Sequence, residues 1–212
     1  MVYGEIALRD FTELLDKYGA TDAVGGGGGP DGGRAFWDLG CGTGKGVLAA
    51  ALCRHFAHAR GLELLPCTAA IAEILVQDFI RDVLPGARPA SNPLRSVSAS
   101  VGDIFAADAL DAWTRGDFVF CNCVTWDDET MTRLSAAAER MRPGSIFVTV
   151  LCPLASDTFE LVEEVELNFS WGAVECLVHR RMSDEAAALA AALGDGLANL
   201  GGRGDVDMER DA

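Results

Sequence analysis

The stretch Phe36-Trp37-Asp38-Leu39-Gly40-Cys41-Gly42-Thr43-Gly44-Lys45 decides how the rest of the chain is read. An apolar run ends in an acid, and Gly-x-Gly-x-Gly then opens a segment that reads as a helix from Gly46 to Phe56. Glycines reach backbone torsions closed to a residue with a Cβ, and they let a ligand lie against the main chain. The first N–H groups of the following helix point into the same space and favour a carboxylate or phosphate. Asp38 stands at the carboxyl end of a predicted strand, Arg34 to Leu39, the edge where open α/β sheets bind ligands.

Spacing separates two classes of ligand. A dinucleotide loop has Gly-x-Gly-x-x-Gly, which brings the pyrophosphate to the helix terminus. Here the third glycine comes one residue early, and Asp38 lies two residues before the first. That Asp-x-Gly-x-Gly-x-Gly pattern resembles the loop of class I S-adenosylmethionine methyltransferases, whose cofactor has an ammonium for the aspartate and no pyrophosphate. A tight strand-to-helix turn with chance glycines is the alternative.

A chain of 212 residues, half of them hydrophobic, is most simply one domain with a sizeable core. No apolar stretch approaches the roughly 20 residues of a membrane span, and no basic-then-apolar leader opens the chain. The formal net charge is −15, with Lys17 and Lys45 the two lysines among 17 basic residues. Such a chain repels nucleic acid unless its basic residues cluster on one face. Seven cysteines without a Cys-x-x-Cys pair read as buried thiols rather than disulfides, and no metal ligand set is expected. Cys121 and Cys123 are expected to point to opposite faces of one strand.

Ile6 to Tyr18 has the apolar spacing of an amphipathic helix. Gly25 to Gly29 with Pro30, Gly32 and Gly33 form a low-complexity loop. Ala59 to Leu62 is a second strand ending at Glu63, 25 residues after Asp38, where an acid accepts from ribose hydroxyls in nucleotide folds. A helix is predicted from Pro66 to about Leu84, and then Pro85, Pro89 and Pro93 mark a loop. Strand three, Ser96 to Val101, runs into Gly102-Asp103-Ile104-Phe105, and a helix around Asp108 to Arg115 follows. By itself, Asp103 reads most simply as a turn residue. Strand four, Phe118 to Cys121, is continuously apolar, as in a central parallel strand, and it ends at Asn122. Asp127 caps a helix through about Met141, and strand five covers Ser145 to Leu151. Thr158 to Asn168 and Ala173 to Arg181 are too close for a crossover helix, so an antiparallel hairpin at a sheet edge is predicted. His55 and His58 are expected on a helix surface, and His179 on a strand.

The predicted fold class is therefore α/β: a doubly wound, seven-stranded, Rossmann-like class I methyltransferase sheet with a C-terminal antiparallel hairpin. Its domain is residues 1–182. Residues 183–212 read as an acidic Ala/Gly-rich tail, helical at first and partly disordered, with seven acids against two arginines.

Several separated stretches resemble one family, the disruptor-of-telomeric-silencing (DOT-one) histone-lysine methyltransferases that lack a SET domain. They are Val2-Tyr3-Gly4-Glu5, the glycine loop, Gly61-Leu62-Glu63, Gly102-Asp103, Phe120-Cys121-Asn122 and Ser170-Trp171-Gly172 with the late strand through His179. The resemblance covers about residues 2–182. It implies that Tyr3, Gly4 and Glu5 form a loop over the methionine end of S-adenosylmethionine. Asp38 and the Gly40, Gly42, Gly44 and Lys45 backbone would hold its amino and carboxylate groups. Glu63 would take the ribose, and Asp103 with Ile104 the adenine. Asn122 and Trp126 are the catalytic candidates, Asn122 beside the transferring methyl.

Histone H3 or the nucleosome is the implied partner, and the nucleus the implied location, although the chain has no basic targeting run; the cytoplasm is the alternative. The family's glutamine after the loop is Lys45 here, its adenine-stacking phenylalanine is Ile104, and its channel aromatics are Val124, Trp126 and Cys176. Its basic nucleosome-binding segment is replaced by the acidic tail, so another factor or basic region would be needed. Two other readings stand beside this one: a class I methyltransferase for a small-molecule or non-histone acceptor, and a silent binding module.

Overall fold

The computed structural model describes residues 5–20, 32–87 and 94–201. Tyr3, Gly4, most of the glycine-rich loop, Pro89, Pro93 and the end of the tail lie outside the described residues. Five strands form the parallel part of the sheet: β1 (Ala35–Leu39), β2 (His58–Glu63), β3 (Ser96–Val101), β4 (Phe118–Cys121) and β5 (Ile146–Val150). The hairpin β6 (Phe159–Phe169) and β7 (Gly172–Arg181) completes it in the order β3-β2-β1-β4-β5-β7-β6. β7 lies antiparallel against β5, with β6 outside it. The hairpin at the sheet edge is as predicted.

Alternation along the strands sorts side chains into two cores, as a period of two requires. Phe36, Phe118, Phe120, Ile146 and Val148 pack on the side of α1 (Leu8–Tyr18), α2 (Lys45–Leu52) and α3 (Pro66–Asp78). Trp37, Leu39, Val119, Cys121 and Phe147 pack on the other side, with Trp113 of α5 (Ala107–Trp113) and Leu134 of α6 (Asp128–Ala138). Phe11 of α1 meets Phe36 and Phe120 edge-on, which seats the first helix over the centre of the sheet. Lys17 and Tyr18 both bond Glu163 of β6, tying the same helix to the hairpin.

Four expectations need correction. Cys121 and Cys123 do not face opposite ways: positions two apart share a face, and both thiols sit in the second core, Cys123 Sγ donating to Val150 O. α2 stops at Leu52, so His55 lies in the α2–β2 turn rather than on a helix. His58 opens β2 fully buried, its ring held by Ser96 Oγ and the Gly32 carbonyl. The helix from Pro66 does not end at Pro85. It passes through a π-turn, Phe79–Val83, into α4 (Leu84–Ala87), so the helical run continues past Pro85, which contributes no N–H to it. The tail begins with α7 (Asp184–Gly201).

Candidate active site

The strand order reverses direction between β1 and β4, and the predicted residues gather at the carboxyl ends of these strands. Gly40, Gly42 and Gly44 have φ of +80°, +56° and +85°, the left-handed region that a Cβ disfavours. Gly40 N and Cys41 N both donate to Leu62 O, which laces the loop to the end of β2. Gly61 permits that approach, since a Cβ there would come within 2.7 Å of Cys41 and Val47. Gly44 stands at the N-cap of α2 and has no side-chain acceptor to offer the first N–H groups of that helix.

Two carboxylates converge on this loop. Asp38 is 5% exposed, and its side chain turns toward Gly46 in the first turn of α2. A Cβ at Gly46 would fall inside contact distance of Asp38 Oδ2. Glu63 is 8% exposed and accepts from Gly42 N and Leu65 N, both at 2.9 Å. Burial, and then the nearby charge of Glu63, push the Asp38 carboxyl up to about 7. Negative charge already crowded at this spot repels a pyrophosphate and favours a cation.

Glu5 reaches the loop from the other side. Its carboxylate accepts from Thr43 Oγ1 at 3.2 Å and pairs with Lys45 Nζ at 3.3 Å. Its backbone is held by the hairpin tip: Glu5 N donates to Ser170 Oγ, Ser170 N donates to Glu5 O, and Ile6 bridges Phe169. Two stretches 165 residues apart in sequence thus form one wall.

Asp103 is exposed and accepts from Phe105 N at 2.9 Å, the turn role, through Oδ1. Ile104 is nearly buried in the second core, and its carbonyl accepts from Trp113 Nε1. Asn122 is half-buried just past β4 and makes no side-chain hydrogen bond among the described residues. Trp126 is half-buried against the second core, and its backbone N–H closes a turn onto Cys123 O. Cys176 is fully buried in the first core and lines no open channel.

Sequence reading missed Thr43 and Leu151. The first could be suspected from its place inside the glycine loop. The second has φ +64° just past β5, a strained value for leucine that no sequence pattern announces. It leaves its side chain half-exposed, as are Val124 after β4 and Trp171 at the hairpin tip. These three give the carboxyl edge an apolar rim. His179 is structural: Nδ1 donates to Phe147 O, Nε2 accepts from Leu154 N, and burial holds its pKa down.

The inserted antiparallel strand and the loop geometry define the class I methyltransferase fold. Solved structures agree with that fold. Magnesium protoporphyrin IX methyltransferase from Synechocystis with bound S-adenosylhomocysteine is similar with a TM-score of 0.53 at 13% identity, over 82% of this chain and 81% of that one. A putative O-methyltransferase from Klebsiella pneumoniae gives 0.52 at 14%, over 84% and 82%. The O-methyltransferase from Bacillus cereus in complex with S-adenosylhomocysteine gives 0.50 at 15%, over 82% and 80%. No protein-family model matches the chain, and no curated protein matches it in sequence.

Proposed function

We propose that this chain transfers a methyl group from S-adenosylmethionine to an acceptor presented beside Asn122. The observation that carries the reading is the pair of buried carboxylates, Asp38 and Glu63, set against a glycine loop that ends in Gly44 at the N-cap of α2. Asp38 suits the cofactor's ammonium, and the first N–H groups of α2 suit its carboxylate, with Lys45 in reach of the same place. Glu63 keeps lone pairs for ribose hydroxyls beyond the two it spends on Gly42 and Leu65. Asp103 Oδ2 and the edge of Ile104 would serve the adenine. Bound there, the cofactor supplies an electrophilic methyl on a sulfonium. The protein's part is to fix the acceptor in line with it and to exclude water. The apolar rim of Val124, Leu151 and Trp171 favours a neutral nucleophile, since desolvation lowers the pKa of an amine.

A small-molecule or non-histone acceptor is the first reading, supported by similar structures that are O-methyltransferases and a magnesium protoporphyrin IX methyltransferase. Transfer to a histone lysine, on H3 or the nucleosome, is the second. One observation favours it: Glu5 to Ala7 and Asn168 to Ser170, stretches at or beside those that carry the DOT-one resemblance, pair with each other beside the glycine loop. The test is a screen with isotopically labelled methyl donor against small phenols and amines, free histones and nucleosomes. Label in a small molecule supports the first reading and label confined to nucleosomal H3 the second. Cofactor binding with no transfer to any acceptor would refute both in favour of a silent module.

A further inference from the structure

A second group of chemistry-bearing side chains lies at the opposite end of α2 from the glycine loop. Asp16, in the last turn of α1, meets Cys53 and His55 from the α2–β2 turn. One donor atom from each residue lies within 4.8 Å of the other two. His55 Nε2 is 3.4 Å from Asp16 Oδ1, and Cys53 Sγ is 3.6 Å from that same oxygen. A tetrahedral zinc ion, with bonds of about 2.0 Å to oxygen, about 2.1 Å to nitrogen and about 2.3 Å to sulfur, sets those edges at about 3.3 and about 3.5 Å. His55 Nε2 supplies an independent sign. It is shielded from solvent and makes no hydrogen bond among the described residues, its contact with Asp16 being out of line for one. A buried ring nitrogen without a partner calls for an explanation, and a shared ion gives one.

We propose that Asp16, Cys53 and His55 bind a divalent transition-metal ion of the zinc class, with water as the fourth ligand. Mixed sulfur, nitrogen and oxygen donors favour zinc or cobalt over magnesium or calcium, which take oxygen alone. The Asp16 side chain is 59% exposed, so ion and water approach from its side. Coordination breaks the Cys53 S–H bond, releases that proton to solvent and forms the sulfur–metal bond. Because the thiolate is the form that binds, affinity rises with pH.

The site is remote from the cofactor: the eight residues of α2 span about 12 Å. Its effect is to staple α1 to the α2–β2 turn, and α1 is continuous with the Glu5 segment that touches Thr43 and Lys45. The three ligands are separated by 37 and 2 residues in sequence, a spacing that announces nothing.

The probe is Co²⁺ added to the purified, metal-stripped full chain, read by absorption, with Zn²⁺ as competitor. The expected result is one cobalt per chain, with tetrahedral visible bands and a near-ultraviolet thiolate-to-cobalt band, all lost on adding zinc. Cys53→Ser should abolish the thiolate band, and His55→Gln and Asp16→Asn should each weaken binding at least tenfold. Cys67→Ser, at an exposed cysteine, should change nothing. Circular dichroism checks that each variant is folded, and if Cys53→Ser unfolds, His55→Gln decides. Absence of a thiolate band in the unmodified chain, its survival in Cys53→Ser, or unweakened binding by folded His55→Gln would overturn the assignment.

Discussion

Replacing Asp38 with asparagine removes a charge that burial and Glu63 make costly, so the variant should be more stable at alkaline pH while losing the cofactor. The folded-state pKa is about 7 against an ordinary 3.8. A raised carboxyl contributes stability fully present below about pH 4, lost as pH rises and gone once pH passes about 7. Each pKa unit corresponds to about 1.4 kcal/mol, so a shift of about three units amounts to about 4 kcal/mol. For a domain of this size that is on the order of 10 °C in Tm. Thermal unfolding of the cofactor-free chain and of Asp38→Asn should therefore be followed from pH 4 to pH 9. The asparagine variant should gain on the original as pH rises to about 7, with a constant gap beyond. S-adenosylmethionine, whose ammonium compensates the Asp38 charge, should close that gap in the original chain. A gap between the two proteins that does not change with pH would refute the claim that Asp38 is a strained, protonation-sensitive carboxylate.

Other substitutions separate the parts of the site. Gly46→Ala should displace Asp38 and weaken cofactor binding at least tenfold, measurable by calorimetry, with the fold retained by circular dichroism. Asn122→Ala should leave cofactor affinity within about twofold yet slow methyl transfer about a hundredfold, a factor of roughly 3 kcal/mol in the barrier. If turnover were untouched, the methyl-transfer position would lie elsewhere. Arg142→Ala should cost about 3 kcal/mol in denaturant unfolding. It strips the 2.6 Å ion pair from Asp117, a buried carboxylate that also accepts from Ala35 N at the start of β1.

The parallel core was legible because its signals are local and periodic. Phe118 to Cys121 is unbroken apolar sequence, Asp127 is a good helix cap (its side chain accepts from Thr130 N), and the Ser170–Trp171 turn is too short for a crossover. The geometry of the glycine loop was legible for the same reason: three glycines at fixed spacing adopt positive φ, and Asp38 and Glu63 sit where their strands end. What escaped depended on contacts across the chain. Nothing in the sequence says that Glu5 is held by Ser170 or that His55 points at Asp16. The error at Cys121 and Cys123 was a misapplied strand period, and the burial of His58 follows from Ser96 and Gly32, both distant in sequence. Leu151 shows a third kind of gap, a backbone strain imposed by the sheet on a residue that does not favour it.

The most direct test of the proposed function is titration calorimetry of the purified chain with S-adenosylmethionine, with Asp38→Ala alongside. Saturable binding with one cofactor per chain, abolished in a folded Asp38→Ala variant, is the predicted result. Failure of the unmodified chain to bind, or equal binding by the variant, would contradict the assignment of the glycine loop and its buried carboxylates as the cofactor site.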